Sequence, residues 1–305
     1  MLKKHMDYDL KYDAISLTRN QSLPHPISIC LVLGYRCDLN CPYCLNPDVE
    51  RKDFSHIDTS LLNLFSKWAP IRIVLTGGEP TLYPKLLSQI GSTLLKMGQI
   101  IIISTHGLHY EQLLHMDWID RVIVSLPGLS PRTYQLMRGI NGFNAAVKGI
   151  RSMVNAGKKV TVNFMVSLYN ISEVPSAVTF AEELGATILQ YEVIFRIGHA
   201  RKCKIGVSRN QLAHAFEKVP ESKILNILFP SVGKIFELVE IGLIVTELNG
   251  RIYRLSTEPE CLITTADDIL FNRNTALFPK NIEANRCLHS LAPEESKKEF
   301  WNWCK

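Results

Sequence analysis

The chain has 305 residues, 46% hydrophobic and 21% charged, with a formal net charge of +5, the profile of an ordinary globular protein built as one large domain or one domain with a tail. That charge is too small and too dispersed for a nucleic-acid footprint, and the longest apolar runs, such as 29–33 and 100–103, are strand-length and far short of a membrane span. Eight cysteines, three of them bunched, fit a reducing cytosol rather than a disulfide scaffold, so a cytoplasmic location is expected. Residues 1–26 form an N-terminal segment that opens with mixed acids and bases and reads as no signal peptide. From residue 27 strand-like runs alternate with helical patterns. A strand over 27–33 leads into a cysteine loop, and a helix over 59–68 follows with Asp58 or Thr59 as its N-cap. Next come a strand at 71–75, a helix at 84–97 stopped by Gly98, and strands at 100–104 and 122–125. A helix at 143–156 closed by Gly157, a strand at 159–167, a helix at 174–184 closed by Gly185 and a strand at 187–195 complete the series. Glycine just past a helix end suits a left-handed cap.

This alternation predicts an α/β fold with a parallel sheet and crossover helices, and six strands make a partial (β/α)6 TIM-like barrel over residues 27–200. After residue 200 the rhythm breaks. A basic stretch, His199-Ala200-Arg201-Lys202-Cys203-Lys204, precedes a helix at 208–218, and residues 242–255 read as a hairpin around Asn249-Gly250. Residues 201–305 are expected to be a C-terminal extension covering the barrel mouth. Neither repeats nor low-complexity tracts occur.

Three cysteines dominate the chemistry. Cys37, Cys41 and Cys44 are spaced C-x3-C-x2-C, one thiolate short of the four that normally hold a four-iron cluster. Three thiolates on one tight loop hold three irons and leave the fourth open to a small molecule. A zinc site usually needs two separated pairs or added histidines, and no such second pair follows. Thirty-odd residues on, Gly77-Gly78-Glu79-Pro80 ends the apolar run 71–75. Its glycines allow close backbone approach to a ligand, and Glu79 adds negative charge for an ammonium group.

With these two motifs the sequence resembles the radical S-adenosylmethionine (radical SAM) family, with Tyr43 in the aromatic position before the last cysteine. Ser104-Thr105-His106-Gly107 stands where the family often has Thr-Asn-Gly, so His106 is a departure, and Ser125-Leu126-Pro127-Gly128 lacks the usual acid. Tyr134-Gln135-Leu136-Met137-Arg138-Gly139 and Gly142-Phe143 look like the SPASM/Twitch and molybdenum-cofactor-type subgroup. The resemblance covers residues 27 to about 200. The motifs lie just after strands, on the active face of such barrels.

The resemblance implies a [4Fe-4S] cluster on Cys37, Cys41 and Cys44, with S-adenosylmethionine on the fourth iron. It implies reductive cleavage to a 5′-deoxyadenosyl radical, which takes hydrogen from a carbon of a peptide or small natural product, leading to epimerisation, dehydrogenation or bond formation. A cofactor-biosynthesis enzyme acting on a nucleotide is the alternative. Cofactor contacts fall to Tyr43, Gly77, Gly78, Glu79, Pro80, Thr105, Ser125, Arg138 and Asn163; the last lies on the fifth predicted strand. An electron donor such as flavodoxin or ferredoxin is the implied partner. Cys203 and Cys261 are candidate hydrogen-atom donors. An auxiliary cluster from Cys203, Cys261, Cys287 and Cys304 is the weaker reading, because these are singly spaced with no C-x2-C. Arg196, Arg201, Lys202 and Lys204 offer charge to an anionic substrate.

Overall fold

The computed structural model describes residues 6–9, 14–17, 26, 28–45, 53–195, 198–230, 243–253, 262–265 and 293–304. Two short strands, β1 (Met6–Asp9) and β2 (Ala14–Leu17), pair antiparallel with each other in the N-terminal segment. The main sheet is built on β3 (Ser28–Val32), β4 (Arg72–Thr76), β5 (Ile100–Thr105), β6 (Arg121–Ser125), β7 (Val160–Val166) and β8 (Ile188–Val193), parallel and adjacent in chain order. These are the six predicted strands, each within two residues of its expected ends, and they give the expected partial barrel.

The segment after residue 200 adds strands to both sides of the sheet. β9 (Asn226–Leu228) extends the sheet parallel beyond β8, while β10 (Leu243–Glu247) lies parallel against β3 at the other side. The predicted hairpin is present: β11 (Arg251–Tyr253) returns antiparallel to β10, and Gly250 N–H donates to Glu247 O at 3.0 Å with Gly250 at φ 82°. β12 (Leu262–Thr265) then pairs antiparallel with β11. The sheet therefore gains a parallel strand on each side of the six: β9, which is not predicted, and β10, an arm of the predicted hairpin whose pairing with β3 is not.

Seven helices are described: α1 (Thr59–Trp68), α2 (Pro84–Lys96), α3 (Pro131–Arg138), α4 (Phe143–Asn155), α5 (Ser176–Glu183), α6 (Arg209–Phe216) and α7 (Pro293–Cys304). Local chemistry sets their ends. Asp58 caps α1 by accepting from Ser60 N–H at 2.8 Å, and Ser130 caps α3 reciprocally with Thr133. The C-terminal helix α7 packs on the outer layer beside α6 and β9. Its Phe300 is fully buried, 4.7 Å from the Phe216 ring and 5.4 Å from that of Phe229.

Side-chain alternation divides the sheet into two unlike faces. On one face, Leu31, Leu75, Ile103, Val124, Phe164 and Tyr191 of six successive strands are buried against the helices. The opposite, inner face carries Val74 and Ile102 deeper in the sheet and, towards the strand ends, the polar, partly exposed Thr76, Ser104, Ser125, Asn163, Gln190 and Glu192. A continuous apolar core thus fixes the outer face and frees the inner one for chemistry.

Candidate active site

The cysteine loop springs from the C-terminal end of β3 and is fastened to the turn after β4. Gly78 N–H donates to Gly34 O at 2.8 Å, and Glu79 N–H donates to Arg36 O at 2.9 Å. Both glycines are needed for this contact. Gly77 has φ +139°, and a Cβ there would lie 2.3 Å from Gly34 O; one on Gly78 would lie 2.2 Å from Arg36 O. The glycine pair, which sequence reasoning assigns to a ligand, also admits the stem of the cysteine loop.

Glu79 is 1% exposed, and its carboxylate is used by the protein itself. One oxygen accepts from Thr81 N–H at 3.1 Å, Thr81 Oγ1 at 2.6 Å and Thr105 Oγ1 at 2.7 Å; the other accepts from His106 N–H at 2.9 Å. Glu79 therefore ties the end of β4 to the end of β5. Pro80 opens the short helical turn Pro80–Leu82 behind it.

A second tie holds the loop itself. Asp38, between the first two cysteines, accepts from His106 Nε2 and from His109 Nε2, each at 2.8 Å. His106 Nδ1 accepts from Leu108 N–H at 3.1 Å, which leaves Nε2 as the donor to Asp38. Partial burial pushes the Asp38 carboxyl up, but the hydrogen bonds from His109 and His106 outweigh it and hold the group below its ordinary value. The residue that departs from the family pattern, His106, is a structural clamp here. Its partners Asp38 and His109 escape sequence reasoning; an acid inside C-x3-C and histidines three apart are the available signal.

Arg138, the last residue of α3, reaches under the loop. Its Nη1 donates to Cys41 Sγ at 3.3 Å and its Nη2 to Ser125 O at 2.8 Å, while the guanidinium lies 5.9 Å from the Tyr43 ring centroid. Arg138 Nε and Tyr43 OH are buried with no hydrogen-bond partner among the described residues. Burial pushes the Cys37 thiol up to about 11, partly offset by the Leu39 N–H that donates to its sulfur at 3.4 Å. Burial likewise raises the Tyr43 phenol, so it stays neutral.

These groups converge. Cys37, Cys41 and Cys44 line one cavity of about 210 Å³ together with Tyr43, the Gly77–Glu79 turn, Thr105, Ser125 and Arg138. Of the predicted cofactor residues, Pro80 stands behind this wall and Asn163 beside it, in register with Ser125 across β6 and β7. Met165 and His199 also line the cavity, and no sequence motif singles them out. Cys203 borders a second cavity of about 620 Å³ that shares Cys41 with the first and is walled by His199, Arg201 and Lys202. Cys261, Cys287 and Arg196 lie outside the described residues. Cys304, on α7, packs against the outer core.

A family model described as the radical SAM superfamily matches residues 31–181, the stretch that contains every one of these loop and strand-end groups except those after β8. This chain belongs to the radical SAM superfamily. Among curated proteins it is 28% identical over 170 residues to a PqqA peptide cyclase of Gluconobacter oxydans, an alignment covering 53% of this chain and 47% of that protein. It is 29% identical over 176 residues to a probable GTP 3′,8-cyclase of Saccharolobus islandicus, covering 55% and 57%. The chain thus spans about half the length of the curated relatives it matches. Among solved structures, SuiB of Streptococcus suis bound to S-adenosylmethionine superposes with TM-score 0.63 at 18% identity, over 82% of this chain and 61% of that one. Native anSMEcpe with bound AdoMet and Kp18Cys peptide gives TM-score 0.62 at 14% identity, over 92% and 97%. At such identities these two establish the shared fold, and the radical SAM barrel is that fold.

Proposed function

We propose that the chain is a radical SAM enzyme acting on a peptide, and one observation carries this reading: three thiols, a glycine-lined strand end and an incompletely paired buried guanidinium surround a single cavity. The donor set fits the cofactors the family implies. Cys37, Cys41 and Cys44 would hold three irons of a [4Fe-4S] cluster. The unpaired Arg138 Nε is a buried donor suited to the carboxylate of S-adenosylmethionine, Tyr43 offers a ring face, and the Gly77–Gly78 turn, Thr105 and Ser125 offer polar atoms at strand ends. When bound, cluster and S-adenosylmethionine supply a reductive cleavage whose carbon radical removes hydrogen from an unactivated carbon.

The chain's own residues hold and shield. Glu79 is a positioning residue that joins β4 to β5, and the Asp38–His106–His109 clamp fixes the cysteine loop. Arg138 donates to Cys41 Sγ and so ties the cysteine loop to the end of α3. Cys203, on the adjoining cavity, is the described candidate for returning a hydrogen atom; Cys261 remains the other. An external reductant such as flavodoxin or ferredoxin supplies the electron. A peptide substrate is favoured by the PqqA peptide cyclase relative, while the GTP 3′,8-cyclase relative is the observation behind a nucleotide substrate as second reading. No helix among the described residues is long and apolar enough to cross a membrane. The six described cysteines form no disulfide with one another, which suits the cytoplasmic location we propose.

The test is iron and sulfide content after anaerobic reconstitution. The wild type is expected to hold about four irons and the Cys37→Ala/Cys41→Ala/Cys44→Ala protein almost none. About eight, with about four surviving in the triple variant, would establish an auxiliary cluster. A wild type without iron would overturn the reading.

A further inference from the structure

Beyond the cluster cavity, the inner wall of the barrel carries a second group of polar side chains, one of them with a buried oxygen that has no partner among the described residues. Asn163 on β7 pairs in register with Ser125 on one side and Gln190 on the other, and Met165 pairs with Glu192. Ser125 and Met165 both line the cluster cavity. Asn163 and Glu192 are therefore diagonal neighbours on the same face of the sheet as these two cavity-lining residues.

Their hydrogen bonding is incomplete in one particular sense. Asn163 Oδ1 is buried and has no partner among the described residues. Glu192 accepts a hydrogen bond from Gln190 Nε2 and, among the described residues, meets no cation. The wall thus presents acceptors without enough donors. Burial pushes the Glu192 carboxyl up to about 7, opposed only by Gln190, as expected for an acid with no compensating cation. Buried charges in proteins are paired; among the described residues, buried Arg138 is turned to Cys41 and Ser125, and Arg72 and Arg121 stand at the opposite, N-terminal ends of β4 and β6, where Arg72 meets Ser28 and Arg121 meets Thr161 and Thr187.

We propose that Asn163, Gln190 and Glu192 form the substrate-recognition site, and that it takes a cationic group, the ammonium or guanidinium of an amine-bearing substrate. An ammonium has three donors and no acceptor, which complements a carboxylate oxygen and a bare amide oxygen on one wall. A lysine or arginine side chain of a peptide presents this chemistry within reach of the cavity where hydrogen abstraction is placed. The inference rests on the enzyme reading above, for it is that reading which makes the cavity a place for substrate.

The experiment titrates hexylammonium, hexanol and hexanoate, matched in length, against reconstituted protein with S-adenosylmethionine present, reading binding by saturation-transfer NMR. Iron content and S-adenosylmethionine binding are measured on the same samples. Hexylammonium is expected to bind at least about tenfold more tightly than hexanol, and hexanoate weakest. In Glu192→Gln, with iron and S-adenosylmethionine retained, the preference over hexanol should shrink to within about twofold, since the shape is kept and the charge removed. A wild type that holds iron but shows no preference for the cation overturns the inference and leaves the enzyme reading standing. So does a preference that survives in Glu192→Gln. If Glu192→Gln fails to assemble, the three-ligand comparison on wild type decides alone. A wild type without iron instead overturns the enzyme reading.

Discussion

Replacing Glu79 separates two roles for the most buried acid of the site. If it is a strut, its loss should be felt in a protein containing neither cluster nor cofactor. Four donors meet its carboxylate: Thr81 N–H, the Thr81 and Thr105 hydroxyls, and His106 N–H. In Glu79→Ala the two hydroxyls can rotate to other acceptors, but the two backbone N–H groups are fixed by their turns. Each fixed, buried, unpaired donor costs about 1–3 kcal/mol, so the expected destabilisation is about 2–6 kcal/mol, a large share of the ~5–15 kcal/mol that holds an ordinary domain together. Glu79→Gln keeps one acceptor oxygen and turns its amide towards His106 N–H, so about half that loss, ~1–3 kcal/mol, is expected. Urea unfolding of the iron-free protein under reducing conditions, followed by tryptophan fluorescence, measures both as a fall in midpoint at constant slope. A Glu79→Ala protein within about 0.5 kcal/mol of wild type, with S-adenosylmethionine binding nonetheless lost, would refute the strut and return Glu79 to the ammonium role read from its sequence motif.

Four further outcomes follow from the geometry. Gly78→Ala places a methyl 2.2 Å from Arg36 O, and reconstituted iron should fall to less than half of wild type while circular dichroism keeps its α/β shape; full iron content would show that the loop stem gives way freely. Arg138→Met removes the donor to Cys41 Sγ, and because hydrogen bonds to cluster sulfurs help set the potential, an EPR-monitored redox titration should show it shifted to more negative values; an unchanged potential would mean that the contact is lost in the loaded protein. Asp38 has a carboxyl pKa lowered beneath 3.8 by its histidines, so the stability difference between wild type and Asp38→Asn should be fully present above about pH 4 and close as pH falls below it; a gap that instead opens on acidification would contradict the clamp. Phe300→Ala empties a fully buried ring site among Phe216 and Phe229 and should cost about 3–5 kcal/mol, read by the same unfolding assay; a negligible loss would detach α7 from the outer layer.

The barrel is legible because its signals are local. Apolar runs stopped by Gly98, Gly157 and Gly185, each left-handed in the structure at φ 71°, 78° and 75°, mark where one element ends and the next begins. Helix α3 has the same closing glycine, Gly139 at φ 79°, but it is short and polar with no apolar run before that glycine, so in the sequence its residues stand out only as a motif. The hairpin at Asn249-Gly250 is legible for the same local reason, but nothing in residues 243–247 names their distant parallel partner β3, because a strand's register partner is a tertiary choice. The site shows the same division. Cys37, Cys41 and Cys44 are close in sequence and readable as one ligand set. The clamp joins Asp38 to histidines 68 and 71 residues away, and the Glu79 network bridges two strand ends. Their meaning depends on β4 and β5 being neighbours, which the residue spacing does not state.

The claim at the centre is that this cavity binds S-adenosylmethionine on a cluster held by Cys37, Cys41 and Cys44 and cleaves it reductively. The direct measurement is 5′-deoxyadenosine formed from S-adenosylmethionine by reconstituted, dithionite-reduced protein, set beside the Cys41→Ala variant. The account predicts its accumulation in wild type and its absence in the variant. Iron-loaded wild type that forms none, or a variant that forms as much, would contradict it.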